Sequence, residues 1–190
     1  MLNISKQEFE DYKSKYLEPQ KKQAVDLFLC YCGSENCTPG YSYGPAVRSQ
    51  YLLHYIIDGE GSYTVNNKTH LLKKNQGFLI RPGTVTYYEA AKDNPWSYMW
   101  IGFNGVKAET YLNYANLNEE NLIFEYSNDD TLKEYISEMI KLNEMDYSNE
   151  LKLEGLLYLF MSKLVETRKE VFNQKAYKSA ELYLEKSIEF

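Results

Sequence analysis

Histidine is nearly absent from this chain: only His54 and His70 occur among 190 residues. A transition-metal site needing two or three histidines on one face has no material here, so neither metal nor cofactor chemistry is expected. Cysteine is scarce as well. Cys30, Cys32 and Cys37 are an odd number and argue against a disulfide framework. Their spacing offers three thiolates to zinc, but no fourth ligand lies nearby. The other reading makes Cys30 and Cys32 small apolar residues on one strand face. No uninterrupted apolar run approaches the ~20 residues of a membrane span. Residues 1–8 lack a basic stretch followed by an apolar core, so no secretory leader and a cytoplasmic location are expected. Basic residues are in deficit, 21 against 27 acidic, for a net charge of −6. A basic stripe for gripping nucleic acid is therefore missing, and these residues are not expected to bind DNA by themselves.

Tyrosine, in contrast, is abundant, with 19 copies. A phenol ring offers an apolar face and a polar handle, which suits the C–H faces and hydroxyl rim of a sugar. Tyrosines equally fill the cores of β-rich proteins. The richest stretch runs from Tyr51 to Phe103. Short β-branched and aromatic runs alternate there with turn signals at Asp58-Gly59-Glu60-Gly61, Asn66-Asn67-Lys68 and Arg81-Pro82-Gly83. Strands are expected near 50–57, 61–65, 69–72, 77–80, 85–90 and 97–103. Together they predict a small antiparallel sandwich or barrel able to hold one ligand.

Upstream, Phe9, Tyr12 and Tyr16 fall at helical spacing before Pro19 and predict a short helix over 5–18. Residues 24–31 read as a strand, and 33–45, rich in Gly, Pro, Ser and Tyr, as a long loop walling the barrel. Past Gly105 the pattern turns helical. A helix is expected over 107–117. A second, capped by Ser127-Asn128-Asp129-Asp130, carries Leu132, Ile136, Met139 and Ile140 on one face. A third, capped by Ser148-Asn149, carries Leu153, Leu156, Leu157, Phe160 and Leu164, widened by Leu151, Leu159 and Val165. So broad an apolar surface has to bury more than one face; a dimer interface is expected at those five residues, the alternative being a helix pair that simply covers the barrel. A further helix starts near 174, and the pattern is cut off at Phe190 without a capping signal.

A barrel, then antiparallel helices, then an interrupted helix: the arrangement resembles the N-terminal effector-binding and dimerisation domain of AraC-type transcription regulators. The residues that carry the likeness are Tyr41-Ser42-Tyr43-Gly44-Pro45, Arg48, and Tyr51 to Ile57 with Gly59 and Gly61. Gly77, Pro82-Gly83 and Trp100-Ile101-Gly102-Phe103 complete it. The chain looks most like the branch of sugar-metabolism regulators of Gram-positive bacteria, including those for raffinose, melibiose and multiple sugars. The resemblance implies a mainly β plus α fold, a cupin-like jelly-roll barrel followed by antiparallel dimerisation helices. Its segments would be an N-terminal arm over 1–23, the barrel over 24–105, the helical dimerisation region over 106–172 and a linker helix over 173–190. It further implies a homodimer, a sugar effector and DNA contact only through a helix-turn-helix half that is not in this sequence. Metal-dependent cupins carry a His-x-His pair that is missing here, and Thr86-Tyr87-Tyr88 stands where family members often have histidine.

The resemblance also implies ligand-binding residues. Trp100 matches a tryptophan that stacks on the sugar, and Tyr98, two residues earlier, points to the same side. Tyr88 matches a pocket tyrosine. Arg48 is the counterpart of an arginine that contacts sugar hydroxyls, a task suited to its planar fork of donors, and reads equally as a surface salt-bridge residue. Tyr41 and Tyr43 sit in the wall loop and add selectivity. His54 reads equally as a sugar contact or a buried structural histidine, and Trp96 as packing. The resemblance hints at an effector larger than a monosaccharide, such as an α-galactoside. Residues 1–20 and the helix near 149–170 are the expected carriers of the signal. The competing readings are a dimerisation module with no small ligand and a cupin sugar isomerase.

Overall fold

The computed structural model describes residues 14–17, 25–142 and 146–188, with side chains described at Leu17 and over 25–142 and 146–167. Among the described residues, ten strands form two antiparallel sheets. The larger sheet holds β1 (Ser14–Leu17), β2 (Phe28–Asn36), β9 (Ser97–Asn104), β4 (Tyr51–Asp58), β7 (Gln76–Ile80) and β10 (Ile123–Glu125), in that spatial order. The smaller holds β3 (Ser42–Val47), β8 (Val85–Ala90), β5 (Glu60–Val65) and β6 (Lys68–Lys73), in that order. Three helices follow the barrel strands: α1 (Ala108–Tyr114), α2 (Thr131–Lys141) and α3 (Tyr147–Ile188). This is the mainly β plus α, jelly-roll architecture anticipated above.

Local chemistry explains the strand boundaries. Asn66 and Asn67 both take positive φ, 49° and 59°, the two-residue hairpin geometry that joins β5 to β6. Pro82-Gly83 turns the chain between β7 and β8, with Gly83 at φ 76°. Strand β9 lies between β2 and β4, and its successive side chains face opposite ways. Tyr98 and Trp100 face the barrel interior, where they meet the ring of His54. Met99, Ile101 and Phe103 are buried on the other face, the side on which α2 and α3 lie against β2 and β9. Both faces of the larger sheet are thus core. Each fully buried aromatic or aliphatic side chain there contributes about 1.5–3 kcal/mol.

Several expectations change. Residues 14–17 form strand β1, paired with β2, where a helix was anticipated; residues 5–13 lie outside the described part. The expected wall loop over 33–45 is largely the end of β2, a turn and β3. Strand β3 shows a solvent-facing composition, so nothing in its pattern marks it as a strand. Strand β10 is three residues long, too short to carry a period. The helices expected near 149–170 and 174 onward are one continuous helix, α3, because no Gly or Pro stands at the junction between them. Asp129, within the expected capping run, accepts the Thr131 N–H of α2 at 2.8 Å, and at α3 Asp146, upstream of the expected Ser148-Asn149, accepts the Asn149 N–H at 2.7 Å.

The leucine stripe of α3 also resolves differently. Leu153, Leu157, Phe160 and Leu164 are buried within the protomer, each at most 2% exposed. They pack with the core that includes Leu132, Ile136 and Met139 of α2. Leu156 is half-buried, while Leu151 and Leu159 are 70% and 49% exposed. The exposed apolar side of α3 is thus that of Leu151, Leu156 and Leu159. That side adjoins an apolar groove of about 420 Å³ lined by Leu142, Gly155, Leu156 and Leu159.

Candidate ligand-binding site between the sheets

The strand register assembles the site. Gly33, Trp100, His54 and Phe78 stand at one level across β2, β9, β4 and β7. Glu35 and Tyr98 stand at the next level, with Ser14 of β1 beyond Glu35. From the smaller sheet, Tyr43 of β3 is paired with Tyr88 of β8, and their rings stack at 5.7 Å. The Arg48 guanidinium lies 4.4 Å from the Tyr43 ring centre, a cation–π contact that fixes its plane. Two backbone bonds hold the segments around it. Gly83 N–H donates to the Arg48 carbonyl at 2.9 Å, and Ala90 N–H donates to the Tyr41 carbonyl at 2.8 Å.

Burial divides the site into floor and rim. His54, Phe78, Tyr88, Trp96 and Tyr98 are buried, and their rings interlock. Trp100, Glu35, Tyr41 and Arg48 are half-buried, and Tyr43 is exposed. The exposed part thus combines a flat indole, two phenols, a carboxylate and a guanidinium, a set that can stack on C–H faces and exchange hydrogen bonds with hydroxyls.

A polar string runs through the aromatic walls. The Tyr98 hydroxyl donates to Glu35 Oε2 at 3.3 Å. Tyr98 and Arg48 act electrostatically on the Tyr88 phenol, as Tyr41 does on the Glu35 carboxyl. Burial drives the acidities. It holds the Tyr88 and Tyr98 phenols well above their ordinary range, so both stay protonated donors. It pushes the Cys37 thiol up to about 12, which makes Cys37 inert packing beside Tyr98. Burial also raises the Glu35 carboxyl, with the two phenols pulling it back. His54 is lowered to about 3 by burial, with the Arg48 charge adding, so its ring is neutral. His54 Nδ1 and Arg48 Nε are buried without a hydrogen-bond partner among the described residues. Each is a polar atom able to bond a ligand or water.

Of the seven residues expected at the ligand, Arg48, Tyr43, Tyr88, His54, Tyr98 and Trp100 are linked by ring and cation–π contacts, and Tyr41 acts on the neighbouring Glu35. Glu35 and Gly33 were missed, because they lay in what read as a loop. Trp96 is fully buried against Gly61, as a packing residue should be. His70 is half-buried opposite Tyr63, away from the Glu35–Arg48 string. The three cysteines are buried thiols, and among the described residues no group of three or more His, Cys, Asp or Glu is arranged to hold a metal.

A two-sheet barrel with this interior and a helical flank defines a small-molecule-binding domain. Residues 30–161 match the model of the AraC-like ligand binding domain, and the chain belongs to that family. It is 35% identical over 146 residues to the Msm operon regulatory protein of Streptococcus mutans, covering 74% of this chain and 51% of that protein. It is 33% identical over 135 residues to the raffinose operon transcriptional regulatory protein RafR of Pediococcus pentosaceus, covering 68% and 48%. The lactose operon transcription activator of Staphylococcus xylosus is 28% identical over 156 residues, covering 80% and 56%. The chain thus spans about half the length of these relatives, all of which are regulators of operons. Among solved structures, YhaK from Escherichia coli is similar at a TM-score of 0.46 and 17% identity, covering 60% of this chain and 50% of that one. A cupin 2 conserved barrel protein from Salinispora arenicola reaches 0.40 and 11%, covering 53% and 82%. Among the described residues no helix is long and apolar enough to cross a membrane.

Proposed function

We propose that this chain is the effector-sensing and dimerising part of a bacterial regulator of carbohydrate utilisation, and that its effector is a sugar bound between the two sheets. The observation that carries the reading is the Glu35–Tyr98 hydrogen bond, with Tyr88 against Tyr98 and Arg48 over Tyr43, set beside the half-buried face of Trp100. It offers acceptors, donors and a stacking plane together, which a polyhydroxylated ring uses at once. The names of the relatives point the same way, and an α-galactoside such as melibiose or raffinose is the first class to try. DNA would be read by a helix-turn-helix half joined to this one, and the exposed side of α3 would meet a second copy. Ligand binding moves such a dimer only as far as its affinities for two states differ. Strand β1 pairs Ser14 with Glu35, which supports the N-terminal segment as a carrier of that difference.

A second reading, a dimerisation module without ligand, draws on one observation: the floor rings are packed against one another and nearly sealed. Tryptophan fluorescence separates the two. Titration with melibiose, raffinose, lactose or galactose is expected to give a saturable change that disappears in Trp100→Ala and persists in a variant altered on the far hairpin, such as Thr69→Ala. No response to any sugar from folded protein would contradict the sensing reading.

A further inference from the structure

We infer that Glu35 is the specificity-determining residue of this site: its carboxylate accepts a pair of neighbouring hydroxyls from a neutral ligand and rejects ligands that carry an acidic group. The inference rests on the sugar-sensing reading above. It starts from what Glu35 is bound to. An ionised carboxylate has about four acceptor positions. The phenol of Tyr98 supplies one donor at 3.3 Å, and the Tyr41 phenol also acts on the carboxyl. The remaining positions match two adjacent hydroxyls, as on the edge of a pyranose ring.

The surroundings then decide the charge it tolerates. Among the described residues no lysine or arginine forms an ion pair with Glu35. The groups that act on it are phenols and burial, which leave its charge uncompensated. A second anion placed beside it adds like-charge repulsion in a partly desolvated space, a cost built against the wrong ligand. Arg48 does not cancel this. It stands at the other end of the string, held against the face of Tyr43.

Position supports the role. Gly33 precedes Glu35 by two residues on the same strand face and lies directly opposite Trp100. With no side chain at Gly33, a ring stacked on Trp100 can reach the carboxylate next to it. The aromatic face and the charged acceptor therefore act on one ligand edge.

The test compares wild type, Glu35→Gln and Glu35→Asp by calorimetric titration. The probes are galactose, melibiose, raffinose and lactose, with galacturonate and galactose 6-phosphate as acidic counterparts. Wild type is expected to bind a neutral member and neither acidic one. Glu35→Gln should bind that neutral sugar roughly 10- to 100-fold more weakly, the value of a hydrogen bond to a charged group, and should lose its discrimination against galacturonate. Glu35→Asp, shorter but still charged, should weaken the neutral sugar while continuing to reject the acid. Unliganded melting of each variant reports folding. Binding of galacturonate by wild type as tightly as galactose would overturn the inference. So would unchanged sugar affinity in both Glu35 variants while Trp100→Ala abolishes it, which leaves the sugar-sensing reading standing. If wild type binds none of the probes, that reading fails and the inference falls with it.

Discussion

The imidazole of His54 lies flat on the ring of Phe78, with 4.5 Å between ring centres and 9° between planes. The two residues face each other across β4 and β7 and are sealed from solvent. Edge contacts from Tyr88 and Tyr98 close the other sides. A neutral ring fits this place as an aromatic does. A charged one finds only the guanidinium of Arg48, which repels it.

Acid should therefore destabilise the barrel through this one residue. His54 is lowered to about 3 in the folded chain against an ordinary 6.5, so below 6.5 the unfolded chain binds the proton that the folded chain refuses. Stability contributed by the neutral ring is fully present above pH 6.5 and falls as pH drops toward 3, by up to about 1.4 kcal/mol per pH unit. Urea unfolding of wild type and His54→Leu across that window should show a steeper acid loss in wild type, whatever offset the substitution adds at pH 7. Parallel curves would contradict the buried, neutral assignment.

Gly61 is a second sensitive point. A Cβ there would overlap the Trp96 indole and stand 2.5 Å from the Glu89 carbonyl oxygen. Gly61→Ala is expected to lower stability by about 1–3 kcal/mol, since neither the fully buried indole nor a strand carbonyl yields easily. An unchanged urea midpoint would refute that packing.

The two sides of α3 should answer differently. Leu157 is fully buried within the protomer, so Leu157→Ala is expected to cost about 2–5 kcal/mol in urea unfolding. Leu159 is 49% exposed beside the apolar groove, so Leu159→Glu should leave the fold intact. If the groove side meets a second copy, that variant sediments as a monomer where wild type is a dimer. A dimer that survives Leu159→Glu would place the interface elsewhere.

The central strands were legible in the sequence because turn residues fenced them. Asn66-Asn67 and Pro82-Gly83 fixed β5 to β8 almost to the residue. The same chemistry hid β3, whose Ser42, Tyr43, Gly44 and Pro45 are exposed and read as loop. Glu35 vanished with it, since only register sets that residue opposite Tyr98. Trp100, Tyr98, Tyr88 and Arg48 were singled out through family likeness, and in the structure they join one cluster of ring and cation–π contacts with His54 and Tyr43. The leucines of α3 show the limit of periodicity. It revealed an apolar side at Leu153, Leu157, Phe160 and Leu164, but could not tell whether the protomer's own core or a second copy covers it. The core does.

The most direct test is the melting temperature of the chain across a panel of arabinose, galactose, melibiose, raffinose, sucrose and lactose. Ligand that binds the native state raises stability in proportion to the logarithm of its excess over Kd. A concentration-dependent rise with one sugar family, lost in Trp100→Ala and in Arg48→Ala, is the predicted result. A well-folded chain whose melting temperature no sugar moves would contradict the assignment of this space as a sugar site.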